Sequence, residues 1–342
     1  MKRIQYFKSL LCLFFSLNLF AQSKIDHFFI DSENLINTGG EETKRSVSVY
    51  LPKGYDESRN KYPVLYFLHG YQNDDKIINY IKPLLDKAIQ KGKIRPIILV
   101  VSDQKTKYLG SFYSNSPLIG NWEDFTTQDL IEYTDSHYRT LSKKESRGIF
   151  GHSMGGYGAI QIAQKHPDLY AAMYALSPGL LAFVKEFGPN SNSFKEIQKI
   201  KAYEDLMKTY YPKVLAAVGR AWSPNPNNPP FYCDMPFTYD EDGNQRINEE
   251  VLELWQEKMP VYNVDQYANN LRKLRAIKLD WGRNDAPRFP TQIGMYSQRI
   301  ENLGIEHFAE EYIGDHGNKV YSDDGRILNE VFPFFNDYLD FE

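Results

Sequence analysis

Cysteine is nearly missing from this chain: of 342 residues only Cys12 and Cys233 carry a thiol. That excludes a cysteine-rich metal centre and a disulfide framework. An excess of positive charge is missing too. The 40 Lys and Arg stand against 44 Asp and Glu, for a net charge of −4. This argues against non-specific binding to nucleic acid or an anionic membrane. There is no internal repeat and no low-complexity tract. The one long apolar run, Leu10 to Phe20, is about a dozen residues, short of the roughly 20 that a membrane span needs. Lys2, Arg3 and Lys8 precede the run, and Ala21 offers a small residue before Gln22, so residues 1–21 read as a secretory signal. Leu19 departs from the usual small residue of such a site, and a membrane anchor is the competing reading. Cys12 lacks the small residues before it that a lipoprotein signal carries. Cleavage would leave Cys233 alone, hence no intrachain disulfide, in a secreted or periplasmic mature chain of residues 22–342.

Aromatic residues are abundant, with 25 Tyr and 21 Phe. They fill a core, or they line a cleft that stacks against flat ligands; composition alone leaves both open. The apolar segments read as an α/β sheet. Ser46–Leu51 alternates polar and apolar, as an early antiparallel strand does. Pro63–Leu68 and Pro96–Val101 are near-continuous apolar runs, as buried parallel strands are. Ala171–Leu176, Ala276–Leu279 and Phe308–Ile313 extend the set. Helical spacing predicts helices over Ile77–Gln90 with a break at Pro83, Asp124–Tyr138, Tyr157–Lys165, Pro290–Leu303 and Gly325–Leu339. Strands alternating with helices imply a mainly parallel central sheet flanked by helices. Residues 180–267 interrupt this rhythm. Helical pieces near Phe194–Tyr211 and Asn248–Glu257, together with the turn-rich stretch from Trp222 to Pro230, predict an insertion packed over the sheet's C-terminal edge as a lid or cap. A peripheral elaboration is the alternative.

The chemistry centres on Gly151-His152-Ser153-Met154-Gly155-Gly156, a G-x-S-x-G pattern between a strand-like and a helical segment. That is the context of a nucleophile elbow, whose glycines permit the tight turn. A serine hydroxyl needs a base, and the base an orienting acid. In a fold of this kind the order is Ser, then Asp or Glu, then His. Of the seven histidines, His316 in Gly314-Asp315-His316-Gly317 follows the last strand and sits where the base belongs. Asp285, in the loop after Ala276–Leu279, is the acid chosen over Asp280, which ends that strand. Asp315 abuts the histidine and points its carboxylate elsewhere. Two N–H donors must hold the developing oxyanion: the Met154 amide, and the Tyr71 amide after Leu68-His69-Gly70. This chemistry requires no metal and no organic cofactor.

With these residues assembled, the chain resembles the esterase branch of the α/β-hydrolases, which takes in esterase D, feruloyl and acetyl-xylan esterases, siderophore esterases and bacterial mycolyltransferases. The match runs over about Ser46–Leu181 and from Asn263 to the C-terminus. Besides the elbow it is carried by Leu68-His69-Gly70, Gly110–Ser116, Gly120–Phe125, Tyr138-Arg139-Thr140, Gly282–Asp285 and Gly314–His316. The resemblance implies an α/β-hydrolase fold and Ser153, Asp285 and His316 as the triad. It also implies Ser114, Asn115, Trp122 and Glu123 near the substrate, although Trp122 and Glu123 could equally anchor the following helix. The function it implies is a secreted serine carboxylic-ester hydrolase acting on acyl or feruloyl esters of carbohydrates. The expected partner is a small-molecule or carbohydrate ester, with no nucleic acid and no stable membrane anchor. Acyl transfer of the mycolyltransferase type, siderophore ester hydrolysis and a non-catalytic binding protein on the same scaffold are the alternatives.

Overall fold

A computed structural model describes residues 22–286 and 288–342. The signal assigned to residues 1–21 lies outside the described residues. Eight strands form one sheet: β1 (Lys24–Asp31), β2 (Lys44–Leu51), β3 (Val64–Leu68), β4 (Ile98–Ser102), β5 (Arg147–His152), β6 (Ala172–Leu176), β7 (Ala276–Gly282) and β8 (Phe308–Tyr312). Their spatial order is β1-β2-β4-β3-β5-β6-β7-β8. The two β2 pairings are antiparallel and all later ones parallel. The central strands are buried on both faces, which is why they read as unbroken apolar runs. Strand β1 was not anticipated from the sequence. It lies at the sheet's edge and keeps Phe29 61% exposed, so its pattern lacks a clean buried face.

Side chains alternate between two cores. Leu65 and Phe67 point to one, packed by α1 (Ile78–Gln90) and by the C-terminal residues Ile327–Leu339. Val64, Tyr66 and Leu68 point to the other, packed by α2 (Leu130–His137) and α3 (Met154–Lys165) among others. Helix α1 does not break at Pro83. The carbonyl that the proline ring leaves without a donor belongs to Asn79, and both residues face water on the exposed side of the helix, so solvent supplies the missing bond. The helical run before β5 begins at Trp122 and passes through a π-helical segment, Phe125–Asp129, before α2.

After β6 the chain leaves the sheet. It builds α4 (Asn192–Lys199), α5 (Tyr203–Met207), α6 (Tyr211–Trp222), a hairpin of Phe237–Tyr239 with Gln245–Ile247, and α7 (Glu249–Gln256). The excursion closes at Pro260 rather than Tyr267. The Val261 N–H donates to the Leu181 carbonyl at 3.0 Å, and α8 (Pro260–Leu271) already belongs to the main body. There Asn263 accepts a hydrogen bond from Gln164 of α3 at 3.0 Å. Helix α6 escaped the sequence reading because of its proline and glycine. Pro212 sits in the first turn, where no N–H is needed. Gly219 makes room for Cys233, whose sulfur would lie 2.8 Å from an added Cβ. Burial pushes the Cys233 thiol up to about 12, so it behaves as an inert core group. Phe187, Phe194, Leu215, Trp222 and Trp255 of the excursion share one continuous core with the sheet and α3. The last helices are α9 (Arg288–Asn302) and α10 (Phe332–Tyr338). Among the described residues no helix is long and apolar enough to cross a membrane.

Candidate active site

Strand β5 ends at His152 and α3 starts at Met154, so Ser153 alone makes the corner. Its backbone has φ 59° and ψ −115°. A non-glycine residue there stores about 1–3 kcal/mol of strain and persists only when its neighbours hold it. They do so through three backbone bonds. The Ser153 N–H donates to the Leu176 carbonyl at 2.9 Å, and its own carbonyl accepts from Tyr157 at 3.0 Å and Gly179 at 3.2 Å. The glycines of the pattern are steric necessities. A Cβ on Gly151 would stand 2.2 Å from the Gly155 carbonyl oxygen, and one on Gly155 would stand 1.8 Å from that of Leu68.

The acid and base arrive on the ends of adjacent parallel strands, β7 and β8. Backbone bonds tie the loops together: Arg283 N–H to Tyr312 O and Asn284 N–H to Gly314 O, both 2.8 Å. A Cβ on Gly282 would stand 2.5 Å from both the Gly314 and Asp315 carbonyl oxygens, so glycine lets the loops touch. The result is a relay. Asp285 Oδ2 lies 2.7 Å from His316 Nδ1, and His316 Nε2 lies 2.9 Å from Ser153 Oγ. The network assigns the Nδ1 proton to the carboxylate side, leaving Nε2 free to accept from the hydroxyl. The other Asp285 oxygen accepts from the Ala286 N–H at 2.6 Å, and the carboxylate is almost fully enclosed. Asp280 is drawn away, bonded to Tyr174 at 2.6 Å and Arg326 at 2.7 Å. Asp315 turns its carboxylate onto the Gly317 and Asn318 N–H groups, which hold it below the usual carboxylate range.

Two further histidines brace the site. His152 Nε2 donates to the His316 carbonyl at 2.7 Å, and burial first, with His316 nearby second, depresses His152 to about 3. It is therefore a neutral strut between the elbow and the base loop. His69 is fully buried, which lowers its basicity. Its ring spans the Gly70 carbonyl at 2.8 Å and the Gln104 N–H at 2.9 Å. That fixes the loop carrying Tyr71, and a Cβ on Gly70 would be 3.5 Å from Ser153 Cβ. Met154 is the first residue of α3, so its N–H has no partner within the helix and joins the positive end of the helix dipole. The sequence marked His69 only as part of the Leu68-His69-Gly70 loop and His152 only as a member of the elbow, and neither as a strut.

A cavity of about 420 Å3 opens on Ser153, walled by Tyr71, Phe112, Leu180, Phe187, Tyr210 and Phe289. The Phe289 ring lies 4.0 Å from that of His316. Three of these walls, Leu180, Phe187 and Tyr210, come from the region flagged as an insertion. Ser114, Asn115, Trp122 and Glu123 do not line this cavity, which corrects the substrate-contact expectation. The Ser114 hydroxyl is buried between Phe112 O and Trp222 Nε1, and Asn115 Oδ1 caps the Glu123 and Asp124 N–H groups. Trp122 is wholly buried and donates to Ile119 O, while Glu123 is bound by Lys165 at 2.7 Å and His166 at 2.9 Å. Among the described residues no group of three or more His, Cys, Asp or Glu is arranged to hold a metal ion.

Comparison with known proteins agrees with this geometry. An esterase of Mycobacterium tuberculosis is 34% identical over 146 residues, 42% of this chain and 30% of the relative. An endo-1,4-beta-xylanase/feruloyl esterase of Xylanibacter ruminicola is 29% identical over 147 residues, 40% of this chain and 20% of the relative. The chain thus spans less than a third of these relatives' lengths. A solved ferulic acid esterase superposes with a TM-score of 0.64 at 22% identity, covering 94% of this chain and all of the other. Residues 40–324 match the Esterase family. With its mainly parallel eight-stranded sheet, the chain belongs to that family and has the α/β-hydrolase fold.

Proposed function

We propose that this protein is a secreted serine carboxylic-ester hydrolase that cleaves feruloyl or other acyl esters of carbohydrates. The observation that carries the mechanism is the Asp285–His316–Ser153 relay at 2.7 and 2.9 Å, with the serine held on a strained corner beside a dipole-bearing helix start. Ser153 Oγ adds to the ester carbonyl carbon as His316 Nε2 takes its proton. Asp285 orients the imidazole and stabilises the imidazolium. The Met154 and Tyr71 amides receive the oxyanion, each such donor contributing about 10²–10³ in rate. Collapse breaks the bond to the alcohol, which leaves with the proton from His316. Water then adds to the acyl-enzyme by the reverse proton route, releasing the acid and restoring Ser153.

The aromatic walls support a planar acyl group. Tyr71, Phe112, Phe187, Tyr210 and Phe289 offer flat faces to a phenylpropenoyl unit, consistent with the feruloyl esterase among the relatives. In this reading residues 22–342 form one catalytic domain, and the excursion after Leu181 builds part of the acyl wall. The test is hydrolysis of p-nitrophenyl acetate, butyrate and decanoate, methyl ferulate and acetylated xylan by the wild type and by Ser153→Ala. Methyl ferulate is expected to be preferred, with turnover lost in the variant. A folded wild type inert on every ester, and unlabelled by a fluorophosphonate, would overturn the reading. Edman sequencing of exported protein tests secretion, with Gln22 expected as the first residue.

A further inference from the structure

A second concavity is walled by Tyr108, whose carbonyl accepts a hydrogen bond from the Tyr71 hydroxyl. It encloses about 1140 Å3 of space continuous with solvent. Tyr108, Tyr203 and Tyr232 are its aromatic elements, and Lys107 and Arg220 its cations. Tyr203 and Tyr232 are 40% and 42% exposed, open to a ligand, whereas Tyr108 is a buried wall. The rings are held in place. Tyr108 and Tyr203 meet edge to face at 5.4 Å, and the Tyr203 hydroxyl donates to the Lys107 carbonyl at 2.8 Å. Arg220 stacks 4.3 Å from the Tyr108 ring, donates to the Phe231 carbonyl at 3.0 Å and faces Glu41 at 3.7 Å. The guanidinium is thus a fixed part of the wall.

Two observations join this trough to the reaction. Tyr71 walls the Ser153 cavity, and its hydroxyl donates to the Tyr108 carbonyl at 2.8 Å, so the two concavities share that residue pair as a partition. Tyr203 of the trough in turn packs edge to face on Tyr108 at 5.4 Å, so the partition and the trough wall are one set of rings. The serine cavity, with its aromatic walls, is open to solvent, and the alcohol half of a large ester must emerge from it. A polysaccharide alcohol presents flat C–H faces and a rim of hydroxyls. Tyrosine matches both, with an apolar face and a polar tip, and the ammonium of Lys107 adds a hydrogen-bond donor. Lys107 and Arg220 place two cations in the lining, which suits a hydroxyl-bearing ligand better than a lipid tail.

We propose that the trough of Tyr108, Tyr203 and Tyr232 is a subsite for the sugar chain that carries the scissile ester, with Tyr203 and Tyr232 as its stacking surfaces. The proposal rests on the carbohydrate-ester reading above and identifies where that substrate's alcohol side binds. Neither tyrosine lines the serine cavity. The experiment compares wild type, Tyr203→Ala, Tyr232→Ala, the double variant and Tyr203→Phe on two substrates, methyl ferulate and a feruloylated arabinoxylan oligosaccharide. The double variant is expected to lose roughly ten-fold in kcat/KM on the oligosaccharide through KM, with methyl ferulate turnover unchanged and Tyr203→Phe near wild type. Undiminished oligosaccharide turnover, or equal losses on both substrates, overturns the subsite. Should the wild type cleave methyl ferulate but no carbohydrate ester, the carbohydrate reading is what fails. Calorimetric titration of unesterified arabinoxylan oligosaccharide into Ser153→Ala then decides the trough separately. Binding that the two tyrosine substitutions abolish supports it, and absence of binding overturns it.

Discussion

Two aspartates five positions apart, on one strand and its loop, have opposite assignments. Asp285 faces His316, while Asp280 lies beneath the sheet's edge with Arg326 and Tyr174. Asp285→Asn is expected to lower kcat by about 10⁴ with little change in the melting midpoint, because the wrong imidazole tautomer is then favoured. Asp280→Asn is expected to keep kcat and to destabilise by only about 1–3 kcal/mol, since burial already pushes the Asp280 carboxyl up to about 6 and Arg326 keeps its two bonds to Glu310. Ester kinetics and thermal melts of the two variants check both, and a rate loss confined to Asp280→Asn would reverse the assignment. Ser153→Ala should remove about 10⁵–10⁶ in kcat and all fluorophosphonate labelling. At this scale the meeting of Ser153, Asp285 and His316 was legible because order along the chain and position after a strand act together. The fates of Ser114 and Glu123 were not, because their partners, Trp222 and Lys165, come from elements whose packing no local pattern announces.

The strands after β1 and most helices followed from periodicity, since a buried parallel strand leaves an unbroken apolar run and a surface helix leaves a stripe. What the pattern hid was the excursion's interior. Its helices cover one another as well as the sheet, so α6 is buried almost all round, with Pro212 and Gly219 interrupting the reading of it as a helix. Trp255 of α7 shows how the excursion is held. It is fully buried, donates to the Ser223 hydroxyl at 2.8 Å, and stacks edge to face with Trp222 at 5.4 Å. Trp222 in turn lies 6.1 Å from Phe112 in the serine cavity wall. Trp255→Ala is expected to cost about 3–5 kcal/mol and to raise KM for methyl ferulate as that wall loosens. Because the excursion shares the sheet's core, calorimetry should show one transition moved down as a whole. An early separate transition would mean that the excursion unfolds by itself.

For the molecule as a whole, the two neutral histidine struts set a pH dependence. His152 titrates near 3 in the folded state and near 6.5 when unfolded. Between those values the unfolded chain binds a proton that the native chain refuses, so this contribution is complete above about pH 6.5 and fades as the pH falls towards 3. A single such group gives a slope of up to about 1.4 kcal/mol per pH unit. His69, depressed by the same burial, acts in the same direction. Urea unfolding at several pH values should show this acid limb. His152→Gln, which retains an N–H for the His316 carbonyl, should flatten it, and an unchanged slope would show that the strut does not titrate as argued. The hydrogen bond from Val261 to Leu181 reaches further. It makes residues 182–260 a handle whose two roots touch, while Ser153, Asp285, His316 and both histidine struts lie outside it. A handle of another length and outline, grafted at those two neighbouring points, would reshape the acyl wall without moving Ser153, Asp285 or His316.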